Sequence, residues 1–168
     1  MYQIGDQVVY GIHGICRIAA LENRSVGGKT IRYYVLKPKS EKGAVFYVPA
    51  DNAAAVCKMR RLLSRQELEA LLKSPEARES TWIADENQRK LLYRELISSG
   101  DRARLVSMVG SLYRHKETQA ASGRKFHLCD ENFLRDAEKL LCGEFSEVLQ
   151  IPGEMVGAYI RRTMELDE

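Results

Sequence analysis

Trp82 is the only tryptophan in the chain, and it sits in Ser80-Thr81-Trp82-Ile83-Ala84-Asp85, with Arg89, Lys90 and Arg94 spaced along the residues that follow. Asp85 is a helix-capping type, so the cations fall on the first turns of a helix whose start lies just behind the indole. An aromatic in that position can insert at a distorted base step while the cations hold phosphates. The same residue can instead plug a seam between packed elements, and residue types alone leave both readings open. A second constellation lies near the N-terminus, where Arg17, Arg24, Lys29, Arg32, Lys37, Lys39 and Lys42 interleave with Tyr33, Tyr34 and Tyr47. Strand neighbours alternate faces, so Tyr33 and Tyr34 cannot both point inward. An exposed tyrosine beside arginine is a common anchor of protein interfaces, although barrel packing with solubilising lysines would use the same residues.

Catalytic chemistry finds little support. The chain has no GxSxG, HExxH, Walker loop or GxGxxG following a strand. His13 falls in a glycine-flanked turn, and His115 lies between Arg114 and Lys116 on a helix. Most carboxylates occupy caps or i,i+4 pairs with cations. Cys16, Cys57, Cys129 and Cys142 are widely separated, and His127-Leu128-Cys129 has no second pair to complete a tetrahedral set. Reduced, mostly buried thiols are expected, with no catalytic residue, no metal and no cofactor.

The elements that position these residues follow from periodicity. Apolar–polar alternation predicts strands near 7–11, 14–22, 30–37 and 43–48, with a short strand at 22–26 and a hairpin turn at Gly27-Gly28. Asp51-Asn52 caps a single helical turn, and 56–60 returns to the sheet as an edge strand. So few residues cannot make a large sandwich but can curl into a small SH3-like or Tudor-like barrel. Ser64-Arg65-Gln66-Glu67 fits a capping box, and Ser74-Pro75 ends the helix it opens. Residues 75–83 read as a linker. Helices are expected over 85–97 with Leu91, Leu92, Leu96 and Ile97 inward, over 101–121, over 130–151 with Asp130 as an acidic cap, and over 154–164. The fold class is therefore α+β: a barrel over residues 1–62, then an all-helical bundle over residues 63–168.

Charge is distributed unevenly over these parts. Residues 1–62 carry a net +6, residues 63–127 a net +3 and residues 128–168 a net −6. A basic front and middle favour an acidic or polyanionic partner. No apolar run approaches the roughly 20 residues that span a bilayer, and the N-terminus lacks the pattern of a signal peptide, so a cytoplasmic monomer without membrane contact is expected.

Gly5-Asp6-x-Val8-Val9-Tyr10-x-x-His13-Gly14, Tyr34-Val35-Leu36-Lys37 and Val48-Pro49-Ala50-Asp51-Asn52 resemble the CarD/CdnL family of bacterial transcription regulators. Further along, Trp82, Ser99-Gly100-Asp101, Leu112-Tyr113 and Ala137-Glu138-Lys139-Leu140-Leu141 fall where that family's helical domain has similar residues. The resemblance implies a Tudor-like domain that binds the β subunit of RNA polymerase, akin to the module of transcription-repair coupling factors. It also implies a helical domain that touches promoter DNA at the upstream edge of the melted bubble, where a tryptophan wedges into the minor groove. Arg24 matches a polymerase-contacting arginine, and Tyr47 stands where some members have arginine. Arg24, Arg32, Tyr34 and Tyr47 are thus assigned to polymerase. Trp82 matches the wedge, and the interval from it to Gly100 is longer than in some members, which puts the phosphate contact at Arg89 or Lys90. The implied activity is non-enzymatic stabilisation of the open complex. The rival is a β-barrel adaptor whose helical domain is purely structural and never touches DNA.

Overall fold

The computed structural model describes residues 1–165. Five strands form one antiparallel sheet: β1 (Gln7–Tyr10), β2 (Ile15–Val26), β3 (Lys29–Pro38), β4 (Phe46–Pro49) and β5 (Met59–Arg61), in the order β4-β3-β2-β1-β5. Gly27 and Gly28, with φ of 58° and 79°, turn β2 into β3. Two consecutive positive φ values twist the hairpin in the hand that its strands require, and glycine adopts them without a Cβ clash. The two strands expected over 14–26 are one strand, β2, with a register shift between Ile18 and Ala20.

That shift decides which side chains meet. Ile18 opposes Leu36, whereas Ala20 opposes Val35, so Ala19 is an extra residue on its strand. An extra residue reverses the alternation beyond it. Before the bulge Cys16 and Ile18 enter the core. Beyond it Leu21, opposite Tyr34, packs against the core, while Glu22 and Arg24 turn to the opposite face.

The core beneath the sheet joins Val8, Cys16, Ile18, Tyr34, Leu36, Val48 and Met59, with side chains from all five strands. Tyr2 reaches across this core: its hydroxyl donates to the Met59 carbonyl at 2.9 Å, and its ring meets Tyr34 edge-on at 6.2 Å. In a flat sheet β3 and β5 would lie about 14 Å apart at three strand spacings, so the sheet must coil for one tyrosine to touch both. β4 and β5 remain the two edges; a closed barrel, as expected from the strand count, is not formed by strand pairing. Between those edges α1 (Ala53–Val56) is a single turn capped by Asn52.

The chain divides into two compact units, the first ending at Leu62 and the second beginning at Leu63. The second is helical: α2 (Arg65–Leu72), α3 (Pro75–Arg78), α4 (Glu86–Ser99), α5 (Arg102–Ala121), α6 (Leu128–Leu149) and α7 (Val156–Glu165), the last entered through a 3-10 turn at Gly153–Met155. Ser64 and Glu67 form the expected capping box, with reciprocal bonds of 3.1 and 2.8 Å. Residues 75–83 are not all linker. Ser74 accepts from the Ala77 amide and Pro75 takes the first helical position, so the residues that stop α2 also start α3.

Two expectations for the long helices are overturned. On α4 Leu96 is buried and Leu92 and Ile97 pack against the core as expected, but Leu91 is 67% exposed, and the buried face also holds Arg89 and Tyr93. Apolar type alone draws Leu91 inward and leaves out Arg89, which is buried at the start of the same face. α6 begins at Leu128, and Asp130 caps nothing. It is 1% exposed, paired with Arg89. The core of the unit centres on Leu68, Leu72, Tyr93, Leu96, Met108, Leu112, Leu141, Phe145 and Ile160. No helix among the described residues is long and apolar enough to cross a membrane.

Candidate functional site

The bulge at Ala19 assembles a small platform on the face of the sheet opposite the core. Register sets Glu22 against Tyr33 and Val35 against Tyr47, with Arg24 one step further along β2. The Arg24 guanidinium lies 3.9 Å over the Tyr47 ring, and Tyr33 meets Tyr47 edge-on at 6.3 Å. Glu22 accepts from Arg24 at 3.2 and 3.3 Å. That hydrogen bond pushes the guanidinium pKa further up, so Arg24 carries its charge at every accessible pH. The result is a fixed cation on an exposed aromatic base: Tyr47 is 42% exposed and the Arg24 side chain 48%. Stacking orients the guanidinium without consuming the donors on its rim.

Of the four residues assigned to this surface from sequence, Arg24 and Tyr47 come together. Arg32 and Tyr34 do not join them. Tyr34 is 5% exposed and belongs to the core, because the alternation argument resolves in favour of Tyr33. Arg32 is exposed but shares the parity of Tyr34, on the other side of the sheet.

The second site surrounds Trp82. The indole is half-buried against the helical core. His115 stacks on it at 3.6 Å with 19° between the planes, and the Arg89 guanidinium lies 4.2 Å from its centroid. Two planar groups this close to one ring cannot share a face, so the indole is held between them. Burial pushes the His115 imidazolium pKa below its ordinary value, which favours the neutral ring in the stack. Beyond His115 lies Phe126, at 6.2 Å, with Lys116 over its ring and paired to Glu131 at 3.3 Å.

Arg89 is not free to hold a phosphate, contrary to the expectation from sequence. It is 4% exposed, and its Nε and Nη2 donate to the two Asp130 oxygens at 2.9 and 3.0 Å. Nη1 donates to the Ile83 and Ala84 carbonyls at 2.8 and 3.3 Å. Lys90 remains accessible, with 31% of its side chain exposed, and is joined to Glu86 at 2.7 Å. That pair raises the Lys90 pKa and lowers that of Glu86. Residue counting had no signal for the Arg89–Asp130 pair, whose members stand forty-one positions apart.

Elsewhere the titratable groups serve packing. Burial, with Glu41 nearby, pushes the Cys16 thiol up to about 11, which leaves it protonated and unreactive within the sheet core. Among the described residues no three His, Cys, Asp or Glu side chains gather where they could hold one metal ion.

The first unit thus bears an exposed cation–aromatic platform, and the helical unit a half-buried tryptophan between His115 and Arg89. Residues 2–63 match the CarD-like/TRCF RID domain. Domains of this kind are protein-interaction modules that bind the RNA polymerase β subunit, which is consistent with a transcription-related role. The match spans the first unit from its second residue and ends at Leu63, where the second unit begins.

Proposed function

We propose that the chain is a CarD/CdnL-type transcription regulator that docks on the polymerase β subunit through its first unit and stabilises the promoter open complex through its second. The observation that carries the first half is the platform of Arg24 on Tyr47, within the segment matching the polymerase-interacting domain. Where some relatives of the resembling family have arginine, Tyr47 supplies the base on which this chain's own arginine rests. The expected test is a pull-down with the β subunit. Arg24→Glu reverses the charge at an exposed position and sets it beside Glu22, and retention should fall by about 30-fold or more, as for an interface hot spot. Undiminished capture by folded Arg24→Glu protein removes the platform from the interface.

For the DNA arm, Trp82 supplies the wedge at the upstream edge of the bubble, and cations beside it supply phosphate contact. Arg89 is withdrawn from that role by its burial. Lys90 keeps it, joined by Arg124 and Lys125, which are exposed and lead into Phe126 at the edge of the Trp82 site. The unit contacts DNA without base-edge readout, so isolated affinity is weak and salt-dependent, and the docked polymerase provides local concentration. Only preference for the open over the closed state shifts the promoter equilibrium. The protein acts as a cytoplasmic monomer in this reading.

The half-burial of Trp82 favours one competing reading, a purely structural tryptophan in a protein-binding adaptor. Trp82→Ala separates the two. The expected result is unchanged β-subunit binding together with an open-complex lifetime no longer than without the protein. A variant with undiminished open-complex stabilisation and only a lowered melting temperature decides for the adaptor.

A further inference from the structure

The segment Glu79–Ala84 is held at nearly every residue, and the holding groups come from three helices. On α5, Ser107, Ser111 and His115 recur at intervals of four, which stacks them on one face of the helix. Ser107 donates to the Glu79 carbonyl, Ser111 accepts from the Thr81 amide at 3.0 Å, and His115 stacks on Trp82. Both serines are buried, at 1% and 3% exposure. From the other side Arg89 of α4 takes the Ile83 and Ala84 carbonyls while lying against the indole, and Asp130 of α6 fixes Arg89 through both carboxylate oxygens.

A segment of irregular backbone so placed would ordinarily be mobile and expose its amides. Here the Glu79, Ile83 and Ala84 carbonyls and the Thr81 amide each bond to a buried side chain of α4 or α5, and the ring lies between His115 and Arg89. Burying the Ser107 and Ser111 hydroxyls at core positions of α5 costs desolvation that alanine would not incur, and each hydroxyl bonds to this segment.

We infer that Ser107, Ser111 and His115, with Arg89 locked by Asp130, are positioning residues that hold the Trp82 indole as a preorganised blade. The inference rests on the DNA role proposed for Trp82 and names what makes that role efficient. A ring already fixed loses no rotamer entropy when its free edge meets the DNA, so less of the contact free energy is spent on ordering it. His115 is the decisive member because it is half-exposed, takes no part in the buried ion pair and touches the indole directly.

The test uses the full chain, in which Trp82 is the sole tryptophan emitter. His115→Ala should raise acrylamide quenching of Trp82, add a fast component to its fluorescence anisotropy decay and shorten the open-complex lifetime by about two- to ten-fold, the scale of one aromatic stacking contact. His115→Phe should restore ring rigidity and lifetime while removing the pH dependence of emission that an adjoining imidazole imparts. Asp130, Arg89 and His127 set the field in which His115 titrates, and all three are retained in both variants. Ser111→Ala, expected to fold, should loosen the ring in the same sense. Unchanged quenching and anisotropy in His115→Ala overturns the clamp. A loosened ring with a wild-type open-complex lifetime overturns its functional meaning, provided Trp82→Ala abolishes stabilisation. If Trp82→Ala leaves the lifetime intact, the DNA reading itself fails, and the fluorescence response to His115 substitution still shows whether the ring is clamped.

Discussion

Arg89→Ala is expected to lower the stability of the helical unit by about 3–5 kcal/mol, the scale of breaking one partner out of a buried ion pair. Asp130 is left 1% exposed with a bidentate cation removed, and the Ile83 and Ala84 carbonyls lose their donor. In a unit of this size such a loss lowers the melting temperature by about 10 °C or more. Replacing both partners discriminates between the two jobs Arg89 performs. Arg89→Met with Asp130→Leu exchanges a buried pair for apolar groups of similar bulk, and such exchanges are often neutral. Here the double variant should recover only part of the loss, because the two carbonyls remain unpaired at about 1 kcal/mol each. Full recovery would mean that the carbonyl contacts contribute nothing, and additive single effects would mean that Arg89 and Asp130 are not coupled.

A loss of similar size is expected from Glu144→Ala. Glu144 is 4% exposed on α6, where its oxygens accept two donors from Arg102 at 2.7 Å each and the Leu63 amide at 2.9 Å. One carboxylate thus ties the entry of α2 and the first turn of α5 to the middle of α6. Removing it leaves the Arg102 cation, 16% exposed, without its bidentate partner. The cost should be about 3–5 kcal/mol, read as a shift of the urea midpoint at unchanged slope. Glu144→Gln keeps an acceptor of the same shape without the charge, and should fall between wild type and Glu144→Ala. An alanine variant as stable as wild type would show that the pair is no better than solvation.

Both effects lie at buried charged residues whose partners periodicity does not identify. Asp130 stands at the front of an apolar-periodic run, where acidic residues usually cap, and Glu144 sits inside a stripe of leucines and Phe145. Helical periodicity reveals which face of a helix is apolar. It does not reveal that a charge on that face has a partner on another helix, because the partner is set by how helices cross. For the same reason periodicity places Leu92, Leu96 and Ile97 of α4 inward but neither leaves Leu91 in solvent nor buries Arg89.

What the sequence determined by itself was local. The two glycines at 27 and 28 required a hairpin there, Ser64 and Glu67 required a helix start, and alternation along β3 required Tyr33 and Tyr34 to part. Each of these is decided within a few residues by backbone sterics or by amides seeking acceptors. Arg24, Tyr47 and Trp82 could likewise be singled out by type and by likeness to known relatives. Only the tertiary structure decided what they touch. One extra residue at Ala19 turns Arg24 away from the core and onto Tyr47, and a strand's alternation does not announce where it will slip. Three helices converge on the segment carrying Trp82, and Arg89, expected at a phosphate, becomes one side of the clamp that holds the ring. Contacts between residues tens of positions apart depend on packing and register, which no local spacing encodes.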